Sequence, residues 1–189
     1  MKPPVILKSG KNQYLINEFN GELHTHKGII NLEELKSKNF GDTIKSHLGV
    51  EFKILPFKAS DFFKLFKKKA TPVMPKDIGV IITHAGLQPD SLILDAGTGS
   101  GVTAAYFAYF NKFGEVVTIE KDENVLLLAR FNPWSKELFE NPRIKIILGD
   151  AFEVIRNFEK EFDFVIHDPP RFSLSGELYS KEFYSMLYN

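Results

Sequence analysis

The feature that most constrains this chain is a short loop, Asp95-Ala96-Gly97-Thr98-Gly99-Ser100-Gly101. It stands between an apolar run, Ser91–Asp95, and a helical pattern, Gly101–Phe110. Glycine at alternate positions lets the backbone turn tightly and approach a ligand without side-chain interference. A strand that turns straight into a helix is continued by a neighbouring parallel strand, so the loop predicts a βαβ crossover. The following sequence repeats the alternation. Glu115–Glu120, Arg143–Leu148 and Phe162–His167 read as strands, and Asn124–Asn132, Ala151–Phe158 and Ser180–Tyr188 as helices. The fold class is therefore α/β, with a parallel Rossmann-like sheet. There is no internal repeat.

The upstream part differs. Residues 1–58 are short apolar runs broken by turns: Val5-Ile6-Leu7, Tyr14-Leu15-Ile16, Gly28-Ile29-Ile30 and Val50–Leu55. This spacing predicts a small antiparallel barrel or meander, with a helical turn over Asn31–Lys36. Residues 60–70 predict an amphipathic helix, residues 71–75 an extended connector, and Asp77–Ala85 a helix. The expected division is a small N-terminal β domain over 1–70 and a Rossmann-like domain over 71–189.

Charge divides along similar lines. Residues 1–76 hold 14 lysines against 7 acids, whereas residues 77–189 hold 10 lysines and arginines against 17 acids. A basic front suggests an anionic partner, or simply a solvated lysine face; Lys67-Lys68-Lys69 is a candidate phosphate contact on the same terms. The chain has no cysteine, which excludes disulfides, thiolate metal sites and a cysteine nucleophile. No signal-peptide pattern opens it, and no apolar run reaches the roughly 18 residues that suggest a membrane span. The expectation is a cytoplasmic protein without a membrane partner. His24 and His26 would share a strand face, but no third ligand follows, so no metal is expected. His47, His84 and Trp134 read as packing or surface residues.

Spacing narrows the ligand of the loop. A dinucleotide fingerprint requires glycine at 102, where Val102 stands. Glycines at 97, 99 and 101 behind Asp95 instead resemble the first motif of class I S-adenosylmethionine (SAM) dependent methyltransferases. Glu120 ends the next strand, where an acid can accept hydrogen bonds from ribose hydroxyls. Asp150 follows the third strand. It reads as a helix N-cap, and the same resemblance implies an acceptor for the adenine amino group. SAM is thus the implied cofactor, held by Asp95, Gly97, Thr98, Gly99, Ser100, Gly101, Glu120, Lys121, Asp150 and Ala151. His167-Asp168-Pro169-Pro170-Arg171-Phe172 closes the fourth strand and resembles the acid-Pro-Pro-aromatic corner of amino-group methyltransferases. Asp168 is the catalytic candidate, with Pro169, Pro170 and Phe172 as substrate-binding candidates. Arg171 occupies the usual aromatic place, and Phe172 comes one residue later.

Residues 21–101 resemble the archaeal branch of TrmI-type tRNA (adenine-N1)-methyltransferases. The stretches that carry this are Leu23-His24-Thr25, Phe40-Gly41, Ile44-Lys45-Ser46-His47, Glu51–Leu55, Pro75-Lys76-Asp77 and Ala85-Gly86-Leu87. The later part, with Ile119–Asp122, Asn132–Ser135 and His167–Tyr179, resembles a family of predicted archaeal SAM-dependent methyltransferases. The resemblance implies a small β domain joined to a Rossmann-like catalytic domain, tRNA as partner, assembly as a homo-oligomer and methylation of adenine N1. Methylation of a protein or small molecule, or a non-catalytic RNA-binding subunit, are the alternatives. Since the pattern stops after a fourth strand, the sheet is expected to be incomplete at its C-terminal side.

Overall fold

The computed structural model describes residues 1–65, 72–132, 135–159 and 161–188; Lys67-Lys68-Lys69, Thr71 of the connector and Trp134 lie outside them. Two compact units are present, Met1–Asp61 and Phe62–Asn189. Among the described residues, no helix is long and apolar enough to cross a membrane.

The first unit contains β1 (Val5–Ser9), β2 (Asn12–Ile16), β3 (Glu22–Thr25), β4 (Gly28–Asn31), β5 (Thr43–Lys45) and β6 (Glu51–Pro56). Four of these form an antiparallel sheet in the order β2-β1-β6-β5, and β3 and β4 make a separate hairpin. Alternation places Phe52 and Ile54 of β6 inside and Glu51 and Lys53 outside. They join Val5, Leu7, Ile16, Ile30, Leu35 and Ile44 in one core. The expected helical turn is a 3-10 segment, Leu32–Ser37, capped by Asn31, whose side chain accepts from the Glu33 amide. The strand Thr43–Lys45 was not expected, because a run this short and polar has no periodicity to read.

The paired histidines separate. β3 ends at Thr25, so His26 stands in the turn, 3.1 Å from Asn12 Nδ2, whereas His24 lies 3.3 Å from Glu22. His47 is an exposed surface residue whose Nδ1 accepts the Ile29 amide at 2.8 Å.

The second unit holds the site. α1 (Ser60–Lys64) spans the boundary, and the elements after it are α2 (Pro75–Ala85), β7 (Leu92–Asp95), α3 (Val102–Phe110) and β8 (Glu115–Glu120). α4 (Glu123–Ala129), α5 (Ser135–Glu140), β9 (Ile144–Leu148), α6 (Ala151–Arg156), β10 (Phe164–Ile166) and α7 (Lys181–Tyr188) follow. The strands form a parallel sheet in the order β10-β7-β8-β9. Asp95 is in register with Ile166 on one side and Thr118 on the other, and Glu120 with Leu148. Parallel pairing therefore brings the ends of all these strands, and the acids that follow them, to one edge of the sheet. α3 is buried on most of its circumference, through Ala104, Ala105, Tyr106, Phe107 and Ala108. An apolar helix of this kind must be covered on several sides. Leu94, Val117, Ile119, Ile155 and Phe183 build the core on which α6 and α7 pack.

Candidate functional site

A cleft of about 740 Å³ opens at the carboxyl ends of the strands, where ligands of open parallel sheets sit. It is lined by Asp95, Gly97, Thr98, Gly99, Ser100, Glu120, Lys121, Asp150, Ala151, Asp168, Pro169 and Pro170. Topology has brought together residues that are up to 75 positions apart in the sequence, from Asp95 to Pro170.

The glycine loop is held by its neighbours. The Ala96 amide donates to the Ile166 carbonyl at 3.0 Å, and the Thr98 amide to the Ile119 carbonyl at 2.8 Å. Glu120 braces it directly: Oε2 accepts the Gly99 amide at 2.9 Å, and Oε1 accepts the Asp122 amide at 3.1 Å. Each carboxylate oxygen has a second acceptor position, which leaves Glu120 able to accept ribose hydroxyls as well. Behind the loop, Thr98 and Thr118 share a hydroxyl contact of 2.7 Å, and the Thr118 hydroxyl donates to Asp95 Oδ2 at 2.8 Å. Sequence reading missed Thr118. The available signal was a polar residue between Val117 and Ile119 in a strand buried on both faces.

Asp95 is fully buried, and this raises its carboxyl from the ordinary 3.8 to about 7. The Thr118 hydrogen bond opposes the rise, and the nearby Glu120 and Asp168 charges add to it. Asp150 caps α6, its Oδ1 accepting the Phe152 amide at 2.9 Å, while its Oδ2 lies 3.9 Å from Lys121 Nζ. Both readings of Asp150 are thus geometrically compatible, since the capping residue also lines the cleft.

Two of the predicted residues lie outside the lining. Phe172 is 69% exposed, with its ring edge-on to Tyr179 at 5.6 Å; Arg171 lines the cleft instead. Gly101 adopts a φ of +79° as the N-cap of α3. A Cβ there would stand 2.2 Å from Leu138 Cδ2, on a side chain that is wholly buried in α5. Its glycine is required by packing of α5 against the helix start. Gly97 and Gly99, by contrast, face the cleft. Gly101→Ala should destabilise the fold by about 2–4 kcal/mol, from a left-handed non-glycine residue plus overpacking. Urea unfolding measures this, and adding Leu138→Ala should recover part of the loss relative to Leu138→Ala alone.

The spermine/spermidine synthase domain family matches residues 80–189, which span the whole parallel sheet and every site candidate. The chain belongs to this family. Among its relatives, an uncharacterised protein of Methanocaldococcus jannaschii is 56% identical over 97 residues, 51% of this chain and 33% of that protein. The tRNA (adenine(57)-N(1)/adenine(58)-N(1))-methyltransferase TrmI of the same organism is 31% identical over 121 residues, 64% of this chain and 42% of that protein. A SAM-dependent O-methyltransferase from Thermotoga maritima superposes with a TM-score of 0.62 at 30% identity, covering 87% of this chain and 62% of that one. This member of the synthase-domain family therefore has the Rossmann-like fold of SAM-dependent methyltransferases. The matched stretch covers less than half of either curated relative's length.

Proposed function

We propose that this chain is the cofactor-binding part of a SAM-dependent methyltransferase that acts on adenine N1 of tRNA. The observation that carries the cofactor is the convergence of Asp95, Glu120, Asp150 and Asp168 on one cleft around an open glycine loop. Its residues fit SAM. Nothing stands within 4 Å of a Cβ built at Gly97, so the backbone is approachable there. Even without Asp95, the lining carries Asp77, Glu120, Asp150 and Asp168 against Lys121 and Arg171, an excess of acidic groups suited to a ligand that is cationic overall.

In this reading Gly97 and Gly99 cradle the methionine end, with Thr98 and Ser100 beside them. Glu120 receives the ribose and Asp150 the adenine, with Lys121 and Ala151 flanking. When bound, SAM supplies a sulfonium-activated methyl group for in-line transfer. Adenine N1 offers its own lone pair, so no base is required to create the nucleophile. Asp168 accepts a hydrogen bond from the N6 amine, which orients the ring. It also offsets the positive charge that develops on the methylated base. The tRNA reading rests on the likeness to TrmI and on the basic front of the chain. Assembly as a homo-oligomer belongs to the same proposal.

The family match favours a second reading, in which the acceptor is a polyamine-type amine. The acidic lining suits such a cation. Calorimetry with SAM, followed by methyl transfer to tRNA or to a polyamine, separates the two. Labelled 1-methyladenine in digested tRNA is the expected result. SAM binding with label only in the polyamine would replace the tRNA reading, and tRNA binding without SAM binding would leave an RNA-binding subunit.

A further inference from the structure

One wall of the cleft is a loop closed on itself. It leaves β10 at His167 and returns at the 3-10 turn Gly176–Tyr179. Two side chains tie its ends. His167 Nε2 lies 2.9 Å from the Leu178 carbonyl. A carbonyl only accepts, so the ring proton is on Nε2. Nδ1 is then an unprotonated nitrogen, buried without a hydrogen-bond partner among the described residues. The imidazole is gripped by α7, with Phe183 at 4.9 Å and the edge of Tyr184 at 5.7 Å. Burial holds it below the ordinary histidine pKa, opposed by the Leu178 contact and by the Asp168 charge.

The second tie is Tyr179. Its hydroxyl donates to the Pro170 carbonyl at 2.8 Å, with the Pro169 carbonyl at 3.4 Å. Between the ties the Leu174 amide closes a turn onto the Arg171 carbonyl at 2.8 Å. Asp168, Pro169, Pro170 and Arg171 on one limb, and Ser175 and Leu178 on the other, face the cleft. Pro169 and Pro170 line the cleft beside Asp168, so their carbonyls are alternative acceptors for an amine there. One hydroxyl already engages them, whereas the Asp168 carboxylate has no hydrogen-bond donor from the protein among the described residues.

We propose that Tyr179 is a positioning residue, which locks the Pro169-Pro170 corner, with His167 as the second tie, so that the acceptor amine is received by Asp168 rather than by a proline carbonyl. This rests on the methyltransferase reading above. The two prolines fix φ at the corner, and Pro170 also restricts the ψ of Pro169, but ψ at Pro170 stays free; the tyrosine hydroxyl on the Pro170 carbonyl limits it.

Tyr179→Phe deletes one oxygen and keeps the ring. The expected result is a rise of about tenfold in acceptor KM, the size of one lost hydrogen bond, with SAM Kd and Tm close to the parent protein. Hydrogen exchange of residues 167–180 in the SAM-bound chain should quicken. His167→Gln, which keeps a donor near the Nε2 position, should behave like the parent protein, and His167→Leu like Tyr179→Phe. Unchanged acceptor KM in Tyr179→Phe overturns the proposal. So does a parallel loss of SAM affinity and Tm, which marks a merely structural contact. If the parent chain binds SAM but transfers nothing to tRNA, the acceptor reading fails by itself. The exchange rates then decide the latch, unchanged rates overturning it and quickened rates sustaining it.

Discussion

Asp168→Ala should leave SAM affinity within about threefold of the parent protein while turnover falls by about 10²–10³-fold, the usual cost of removing one preorganised electrostatic partner of the reacting group. The reason is positional. Asp168 lines the cleft beyond β10, on the far side of β7 from Glu120, and it takes no part in bracing the glycine loop. The loop is held through Ile166, Ile119 and Glu120, none of which the substitution touches. Asp168→Asn keeps an acceptor oxygen but not the charge, so its turnover should fall between the two. Single-turnover transfer rates alongside calorimetry check both. If Asp168→Ala lost SAM binding instead, the residue would belong to the cofactor site, and the acceptor role assigned to it would fall.

Asp95→Asn should raise stability and weaken SAM binding at once. Folded Asp95 retains its proton up to about pH 7, whereas an ordinary carboxyl releases it near 3.8. Between those values the folded state binds more protons than the unfolded chain. Stability therefore falls as pH rises through that window, by on the order of 4 kcal/mol once pH exceeds 7. Asparagine carries no charge to bury and can still accept the Thr118 hydroxyl. Its Tm advantage should be largest above pH 7 and vanish below pH 4. Binding has the opposite sign. A sulfonium ligand favours the ionised carboxylate, so parent affinity should climb by up to about tenfold per pH unit below 7 and then level off. Asp95→Asn should flatten that profile and lower affinity at neutral pH by about tenfold or more. Thermal melts and calorimetry across the range test it; an affinity independent of pH in the parent chain would show that Asp95 does not sense the ligand.

Much of the second unit was legible without coordinates, because its signals are local. The runs Ser91–Asp95, Glu115–Glu120, Arg143–Leu148 and Phe162–His167 became β7, β8, β9 and β10, the last shortened to Phe164–Ile166. Strand–helix alternation was enough to make them parallel, and parallel strands end at the same edge of a sheet. It follows from order alone that Asp95, Glu120, Asp150 and Asp168 meet. The N-cap role of Asp150 was equally local, since a cap reaches only to the amide two residues on.

Other features depend on which distant residues come into contact, and no spacing announces that. Gly101 reads from sequence as a third cradle glycine, yet Leu138, far along the chain in α5, accounts for it. Arg171 rather than Phe172 lines the cleft, and the Phe172 ring lies against Tyr179, seven residues on, a contact that no spacing announces. Thr118 acquires its role only by pairing with Asp95 across two strands. The glycine loop itself shows both sides. Its position between strand and helix was written in the order of residues. Its brace by Glu120, and the burial that moves the Asp95 carboxyl to about 7, arise from packing that only the folded sheet creates.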